Sequence, residues 1–450
     1  FDASKSFNGI ENVPTKAITM GVRTIFNAKR IIVMAWGLHK SLIVKKSVEN
    51  NITSLIPTTY LQNHKNTTLV LDNESASELT RFKTPWLVST CDWIDSMKRR
   101  AIVWLCETTG KSILKLTDED YNKNGLSDLL ALEGSSYDLN IKMFNHFQNT
   151  ITGWPGGKPG ADDSTRPERK SPNSKRVIIF SPHPDDDVVS MGGTFDRLVS
   201  QGHEVHIAYQ VKGNIAVSDH DALKFIEVSK DMFKNDSKVP VSQLIKELTN
   251  NKPDKIDSQA VRDLKGFIRK REAIAATRYI GIPDSNTHFM NLPFYDTGRI
   301  KKNPPTKKDV LITASLIKKI KPHQIFAAGD LEDPHGTHKV CLDIILDALD
   351  TLKSEKFIKD CWLWLYRGAW LDWDVHDIDM AVPMSPAQVL RKRKAIFFHQ
   401  TQKDGVMFQG QDLREFWVRA EERNSETAEK YKKMGLADYA AIESFKRHYY

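Results

Sequence analysis

Cysteine is scarce in this chain of 450 residues. Cys91, Cys106, Cys341 and Cys361 are scattered, which excludes a disulfide framework or a CxxC metal site and suits a reducing compartment. Long apolar runs are missing too. Residues 31–36 and 101–106 are apolar but far shorter than the roughly 20 residues needed to cross a bilayer, so we expect no membrane partner and a cytoplasmic location. There is no internal repeat and no low-complexity tract. Neither sign of charge dominates: 65 Lys and Arg stand against 57 Asp and Glu, and the net +8 is spread along the chain. That balance permits an anionic small molecule and does not point to nucleic acid. The chain opens Phe1-Asp2-Ala3 without Met, a basic n-region or an apolar h-region. We therefore expect no signal peptide and a fragment or processed product of a longer protein.

What is present has globular proportions, 40% hydrophobic and 27% charged, with length for two or three domains. Residues 30–34 (RIIVM) and 67–71 (TTLVL) read as strands; 40–49 and 75–82 read as helices. From 84 to about 147 the pattern weakens, and the apolar stretches there have no assignable partners. Residues 153–176 hold Pro155-Gly156-Gly157-Lys158-Pro159-Gly160 and Arg166-Pro167-Glu168-Arg169-Lys170, the best linker in the chain. Beyond it strands at 177–180, 204–209 and 324–328 alternate with helices at 219–233, 258–280 and 339–352, with Gly281 ending the second. Alternation of this kind implies an α/β fold with a mostly parallel sheet and helices on both faces.

Directly after the 177–180 strand stands Ser181-Pro182-His183-Pro184-Asp185-Asp186-Asp187. In an open parallel sheet, ligands sit beyond the carboxyl ends of the strands, where this loop would lie. Three carboxylates so close repel unless one is protonated or a cation balances them; the plainer reading is a solvated turn with an Asp capping the next helix. A second loop decides between them. After the 324–328 strand comes Asp330-Leu331-Glu332-Asp333-Pro334-His335-Gly336-Thr337-His338, then a helix. A metal held by His and Asp from one loop and His from the other accounts for both. Two imidazoles and a carboxylate suit Zn2+ or Fe2+, and three protein ligands leave a position for water.

The strand-HPDDD-helix unit, Gly192-Gly193-Thr194 and the late HxxH closely resemble the PIG-L/LmbE-like zinc deacetylases, which remove N-acetyl groups from N-acetylglucosamine-type substrates. The resemblance runs from about Val177 to the end of the chain. It implies that His183, Asp186 and His338 bind zinc, that Asp185 is the general base and that His335 faces the reacting carbonyl. Zinc would acidify a water, Asp185 would take its proton, and a protonated His335 would help hold the oxyanion. Thr337 is a departure, since many relatives have Asp there; the charge that tunes His335 would then be weaker or come from Asp333. Asn214, beside Gly213, is a candidate for sugar hydroxyls against a simple turn. Arg269, Arg271 and Glu272 follow the family's basic-acidic helix pattern, with Arg271 taken as the substrate contact. Tyr366, Arg367 and Trp370 are candidates for a sugar platform, against core packing. His399-Gln400-Thr401-Gln402 also resembles the family's C-terminal region.

The first block has its own resemblance. Val13-Pro14-Thr15-Lys16-Ala17-Ile18-Thr19-Met20-Gly21-Val22, residues 31–40 and Leu61-Gln62-Asn63-His64 look like the C-terminal third of glucosamine-6-phosphate deaminase. Lys40 falls where that family binds the sugar phosphate, and the family's catalytic residues lie upstream of the match. The domains expected are thus a partial deaminase-like domain over 1–85, an unassigned region 86–152, a linker 153–176 and a deacetylase domain over 177–450. The function expected is a zinc-dependent N-deacetylase of an N-acetylglucosamine-type, 6-phosphorylated or unphosphorylated, substrate in amino-sugar catabolism. Its partner would be a small amino sugar or sugar phosphate, and any homo-oligomer would form through the deaminase-like part. The alternatives are a non-catalytic sugar-phosphate sensor or assembly module, and a deacetylase of another N-acyl glycoside.

Overall fold

The computed structural model describes residues 13–450 except 163, 165, 170–171, 233–240, 251–255, 300, 332, 334–335, 369 and 404–413. It divides into two units, Pro14–Asn145 with Lys433–Gly435, and His146–Lys432 with Leu436–Tyr450.

In the first unit β1 (Ile31–Ala35) and β2 (Thr67–Leu71) pair in parallel. Gly37 turns the chain after β1 at φ +85°, where a side chain would be strained. The Asp72 carboxylate after β2 accepts from Gly37 N at 3.0 Å and from Ser75 N at 2.8 Å, pinning the two strand ends together. α1 (Ser41–Glu49) follows the turn. Parallel sheets normally have both faces covered, yet Ile32, Met34 and Trp36 are each more than half exposed. The region without assignable partners is helical. In α2 (Asp95–Thr109) Ala101, Ile102, Leu105 and Cys106 fall on one side and are buried.

The second unit is built on a seven-stranded sheet. Its strands are β3 (Arg176–Ser181), β4 (Glu204–Tyr209), β5 (Thr287–Phe289), β6 (Gln324–Ala328), β7 (Trp362–Tyr366), β8 (Met380–Met384) and β9 (Ala441–His448), in the order β5-β4-β3-β6-β7-β9-β8. The first five pair in parallel and β9 runs antiparallel to both its neighbours. Five helices matter to the site: α3 (Asp186–Ser200), α4 (Gln259–Ile280), α5 (Lys307–Ile320), α6 (Thr337–Thr351) and α7 (Pro386–Phe397). Val177 and Ile179 of β3 share one apolar cluster with Phe195 and Leu198 of α3, Ala273 and Ala276 of α4 and Ile396 of α7. Ile178 and Phe180, which point the other way, are equally buried. With α6 packed on β6 and α5 on α6, the sheet is covered on both sides, as a continuous apolar VIIF strand requires. This is the mostly parallel α/β fold expected. Ser258 caps α4 by accepting from Val261 N, and Gly281 at φ +109° ends it.

The Pro- and Gly-rich stretch is packed on this unit where a free linker was expected. Gln324 Nε2 donates to Pro155 O at 3.1 Å, and Arg166 Nη1 donates to Asp379 O at 3.1 Å. Its glycines serve close approach: a Cβ on Gly156 would stand 2.1 Å from His203 Nε2.

The Gly192-Gly193-Thr194 motif is explained by what lies beneath it. A Cβ on Gly193 would stand 2.1 Å from Met384 Sδ. Buried Glu443 of β9 accepts from Gly193 N at 2.9 Å and from Thr194 N and Oγ1 at 2.6 Å, and pairs with Lys392 Nζ at 2.8 Å. These bonds hold the kinked start of α3, where Met191 leaves helical geometry, against the sheet.

Candidate metal centre

Strand order sets the place. The chain leaves β3 toward β4 on one side and later toward β6 on the other, so β3/β6 is a topological switch point, where crevices open in such sheets. The loop after β3 carries His183 and Asp185 and leads into α3, whose first residue is Asp186; the loop after β6 leads into α6, whose second residue is His338.

There the donor atoms of His183, Asp186 and His338 all lie within 4.8 Å of one another. Asp186 Oδ2 stands 3.1 Å from His183 Nδ1 and 3.2 Å from His338 Nε2, and the two imidazole centroids are 5.3 Å apart. Among the described residues no other group of three His, Cys, Asp or Glu converges in this way. Burial opposes a charge on Asp186, yet the His338 imidazolium and the His183 hydrogen bond hold its carboxyl well below the usual range. Burial likewise opposes protonation of His338, but Asp186, then Asp333, drive it up to about 10. A proton held between acid and base here occupies the position of a cation, and a divalent ion binding these atoms would displace it.

The donor set fits Zn2+ or Fe2+, and the surroundings favour that use. His338 Nδ1 lies 2.7 Å from Asp330 O, which fixes Nδ1 as the protonated nitrogen and leaves Nε2 to coordinate. Asp330 is itself held: its carboxylate accepts from Trp370 N at 2.5 Å and from Leu371 N at 3.0 Å. The Asp333 carboxylate accepts from Thr337 N at 2.6 Å and His338 N at 3.2 Å, satisfying the start of α6.

The three adjacent carboxylates have three environments. Asp185 stands at the N-cap of α3 but makes no side-chain cap bond; its Oδ1 is engaged by Arg269 Nη2 at 2.9 Å. That rules out the capping reading of this loop. Burial disfavours the Arg269 charge, but Asp185 and then Glu272 outweigh it and raise the guanidinium further. Asp187 points inward, accepting from Ser181 Oγ and from Tyr209 OH at 3.0 Å, and burial pushes it up to about 7.

Of the other residues singled out, Asn214 lies beside the site: Gly213, in the left-handed region, packs on Pro184 and Arg269, and Asn214 is buried. Asn214 Oδ1, Arg269 Nε and Nη1 and both ring nitrogens of His399 are buried without a partner among the described residues, and such groups gain most from a polar ligand. Arg271 is exposed. One helical residue turns by about 100°, so Arg269 and Glu272 share the inward face of α4 and Arg271 points away from it. Tyr366 is core, its hydroxyl donating to Phe180 O at 2.7 Å. Arg367 donates to Gly329 O at 2.9 Å and stacks on Trp373. Trp370 packs edge-on against Phe416 and serves the site through its backbone N–H. Those three side chains form no sugar platform. His335 lies outside the described residues. Lys40 is half-buried at the end of the turn after β1, in the other unit. Asp187 and Asp330 stand in the two motifs with no role drawn from sequence, and Tyr295, whose ring meets His183 edge-on with centroids 6.1 Å apart, was not singled out; the one available signal was an acidic residue two positions beyond an apolar strand, and it belonged to Asp330.

Residues 178–349 match the family model of PIG-L, the GlcNAc-PI de-N-acetylases. A glucosamine-6-phosphate deaminase-like protein of Bacteroides thetaiotaomicron is 52% identical over 453 residues, covering 99% of this chain and 68% of its own length. The chain belongs to that deaminase-like family. It also carries the PIG-L domain. A glucosamine-6-phosphate deaminase of Clostridium novyi is 47% identical over 76 residues, 17% of this chain. The chain spans only 32% of that deaminase's length. Among solved structures, an N,N′-diacetylchitobiose deacetylase from Pyrococcus horikoshii is similar over 61% of this chain and 84% of its own, with 18% identity and a TM-score of 0.38. Among the described residues no helix is long and apolar enough to cross a membrane.

Proposed function

We propose that this chain is a zinc-dependent N-deacetylase of an N-acetylglucosamine-type sugar carrying a 6-phosphate. The observation that carries the reading is the convergence of His183, Asp186 and His338 at the β3/β6 switch point. A divalent ion bound there would polarise the amide carbonyl and acidify a water. Asp185, held through Oδ1 by Arg269, accepts the water's proton on Oδ2 as the water oxygen attacks the carbonyl carbon. When the C–N bond breaks, the proton passes to the departing amine, leaving acetate and the free amino sugar. Asn214 and Arg269 offer an acceptor and donors to sugar hydroxyls. Fe2+ is the other metal the donor set suits.

The phosphate follows from the company this domain keeps. Deacetylating N-acetylglucosamine 6-phosphate yields glucosamine 6-phosphate, the compound in the names of the relatives matched by the first unit. In that unit Lys40 is the proposed phosphate contact; the chain spans only about a third of the deaminases matched there, and deamination is not part of the activity proposed for it. Acetate release is to be measured across N-acetylglucosamine and its 6-phosphate, with and without Zn2+, together with metal content. Asp185→Asn should lower the rate by about 10²- to 10⁴-fold with metal near one per chain. Full activity in that variant removes Asp185 from the chemistry, and no acetate from any N-acetyl sugar overturns the deacetylase reading.

A further inference from the structure

The segment after β5 forms a closed loop at the carboxyl edge of the sheet. Met290 N and Leu292 N donate to Tyr209 O and Gln210 O at the end of β4, and Asn303 N donates to Phe294 O at 3.0 Å, returning the chain to its start. Between these points lie Tyr295, Asp296, Arg299, Lys301 and Lys302. Lys212, from the loop after β4, anchors the segment by pairing with Asp296 at 3.1 Å and with Asp263 at 3.1 Å, and Arg262 stands 3.5 Å from Asp296. Those cations are already neutralised.

Lys302 is different. Its ammonium lies 3.7 Å from the centroid of the Tyr295 ring and donates to Arg299 O at 2.8 Å. Among the described residues no carboxylate lies within ion-pair distance of it. The same Tyr295 ring meets His183 edge-on, so the Lys302 ammonium and an imidazole of the candidate metal site contact one aromatic ring. Tyr295 is itself 2% exposed and cannot swing aside freely.

We propose that Lys302 is the specificity-determining contact for a phosphate monoester on the substrate, at the end of the sugar away from the acetamido group. The inference rests on the deacetylase reading for the orientation of the sugar. C2 and C6 lie on opposite sides of a hexose ring, so a sugar with its amide at the metal donors presents its 6-substituent across the Tyr295 ring. An ammonium is a point charge that suits phosphate without a fixed approach angle, and Arg299 and Lys301 in the same loop add to the field. Burial pushes Lys302 down to about 7, with Asp296 opposing; an arriving phosphate would hold it charged.

The test compares KM for N-acetylglucosamine 6-phosphate and N-acetylglucosamine in the zinc-loaded chain, with Lys302→Met and Lys302→Arg. Wild type should favour the phosphorylated sugar. Lys302→Met should collapse the ratio of the two KM values by roughly ten- to hundredfold, the worth of a hydrogen bond to a charged group. Lys302→Arg should keep most of it, which a merely structural role would not require. A ratio near one in wild type, or one that survives in Lys302→Met, overturns the proposal. If no sugar is deacetylated, the parent reading has failed. Calorimetric titration with glucosamine 6-phosphate and glucosamine then decides Lys302 alone: a phosphate-dependent affinity lost in Lys302→Met supports it, and equal affinities overturn it.

Discussion

Removing the Asp330 carboxylate should weaken metal binding although that carboxylate touches no metal donor. His338 Nδ1 is held by the Asp330 backbone carbonyl at 2.7 Å, and the backbone there is held by what the Asp330 side chain grips. That grip consists of two good bonds, from Trp370 N at 2.5 Å and Leu371 N at 3.0 Å, with Gly368 N at 3.4 Å adding little. Each buried N–H left unpaired costs about 1–3 kcal/mol. Some of this is returned, because burial disfavours the Asp330 charge in the first place and pushes its carboxyl upward. A net loss of about 2–3 kcal/mol for Asp330→Ala follows. If half or more of it falls on the His338 orientation, zinc affinity should drop by about ten- to hundredfold, as for other partners of metal-bound histidines. Asp330→Asn keeps one acceptor and should lie between. Competition for Zn2+ against a chelating dye reads the affinity directly, and thermal unfolding reads the stability. An Asp330→Ala protein that is less stable but binds zinc as tightly as wild type would refute the coupling, since His338 would then be oriented by α6 alone.

Three further outcomes are expected. Lys392→Met leaves the Glu443 carboxylate buried with only N–H and O–H donors, and urea unfolding of the sheet unit should show a loss of about 3–5 kcal/mol; a loss below about 1 kcal/mol would mean that the Gly193 and Thr194 donors suffice. Gly193→Ala gains up to about 1 kcal/mol of helix propensity but drives its Cβ into Met384 Sδ. The net should be a loss of about 1–3 kcal/mol, partly recovered by also making Met384→Ala. Burial, with Lys175 adding to it, holds His203 down to about 4, whereas an unfolded histidine titrates near 6.5. Between those values the unfolded chain binds the extra proton, so stability falls as pH drops from about 6.5 to about 4, by about 3 kcal/mol in total. In His203→Gln that part of the slope should vanish; an unchanged slope assigns it to other groups.

Much of the fold could be read from pattern because β3, β4 and β6 are covered on both faces and so are written as buried, mostly apolar runs, VIIF, VHIAY and QIFAA, broken only by His206 and Gln324. β9 could not. Its sequence AIESFKRH holds Glu443 and Ser444 at buried positions, tolerable because partners arrive from elsewhere in the chain: Lys392 and the start of α3 for Glu443, and Asp372 for the Ser444 hydroxyl. β5 has three residues, too few to establish a period. The described part of the 153–176 stretch shows a related limit. Proline and glycine mark chain without its own apolar face, which describes a free linker and a strap laid on a finished surface equally well.

The same limit governs the site. That a His and an Asp of the loop after β3 would meet a His of the loop after β6 was legible, since both loops sit just beyond apolar strands; that the three are His183, Asp186 and His338 came through resemblance. Which of three consecutive aspartates does what was legible only through resemblance, because the difference is made by partners far off in sequence. Arg269 reaches Asp185, His338 reaches Asp186, and Tyr209 reaches Asp187. Arg269 and Arg271 differ by two positions on one helix, and only the orientation of α4 decides that the first is buried and the second faces water. Lys302 extends this reasoning to specificity. The charges in its loop are ordinary in sequence, and it becomes a candidate only when Lys212 and Arg262 are seen to be neutralised by Asp296 and Asp263 while Lys302, over Tyr295, is not.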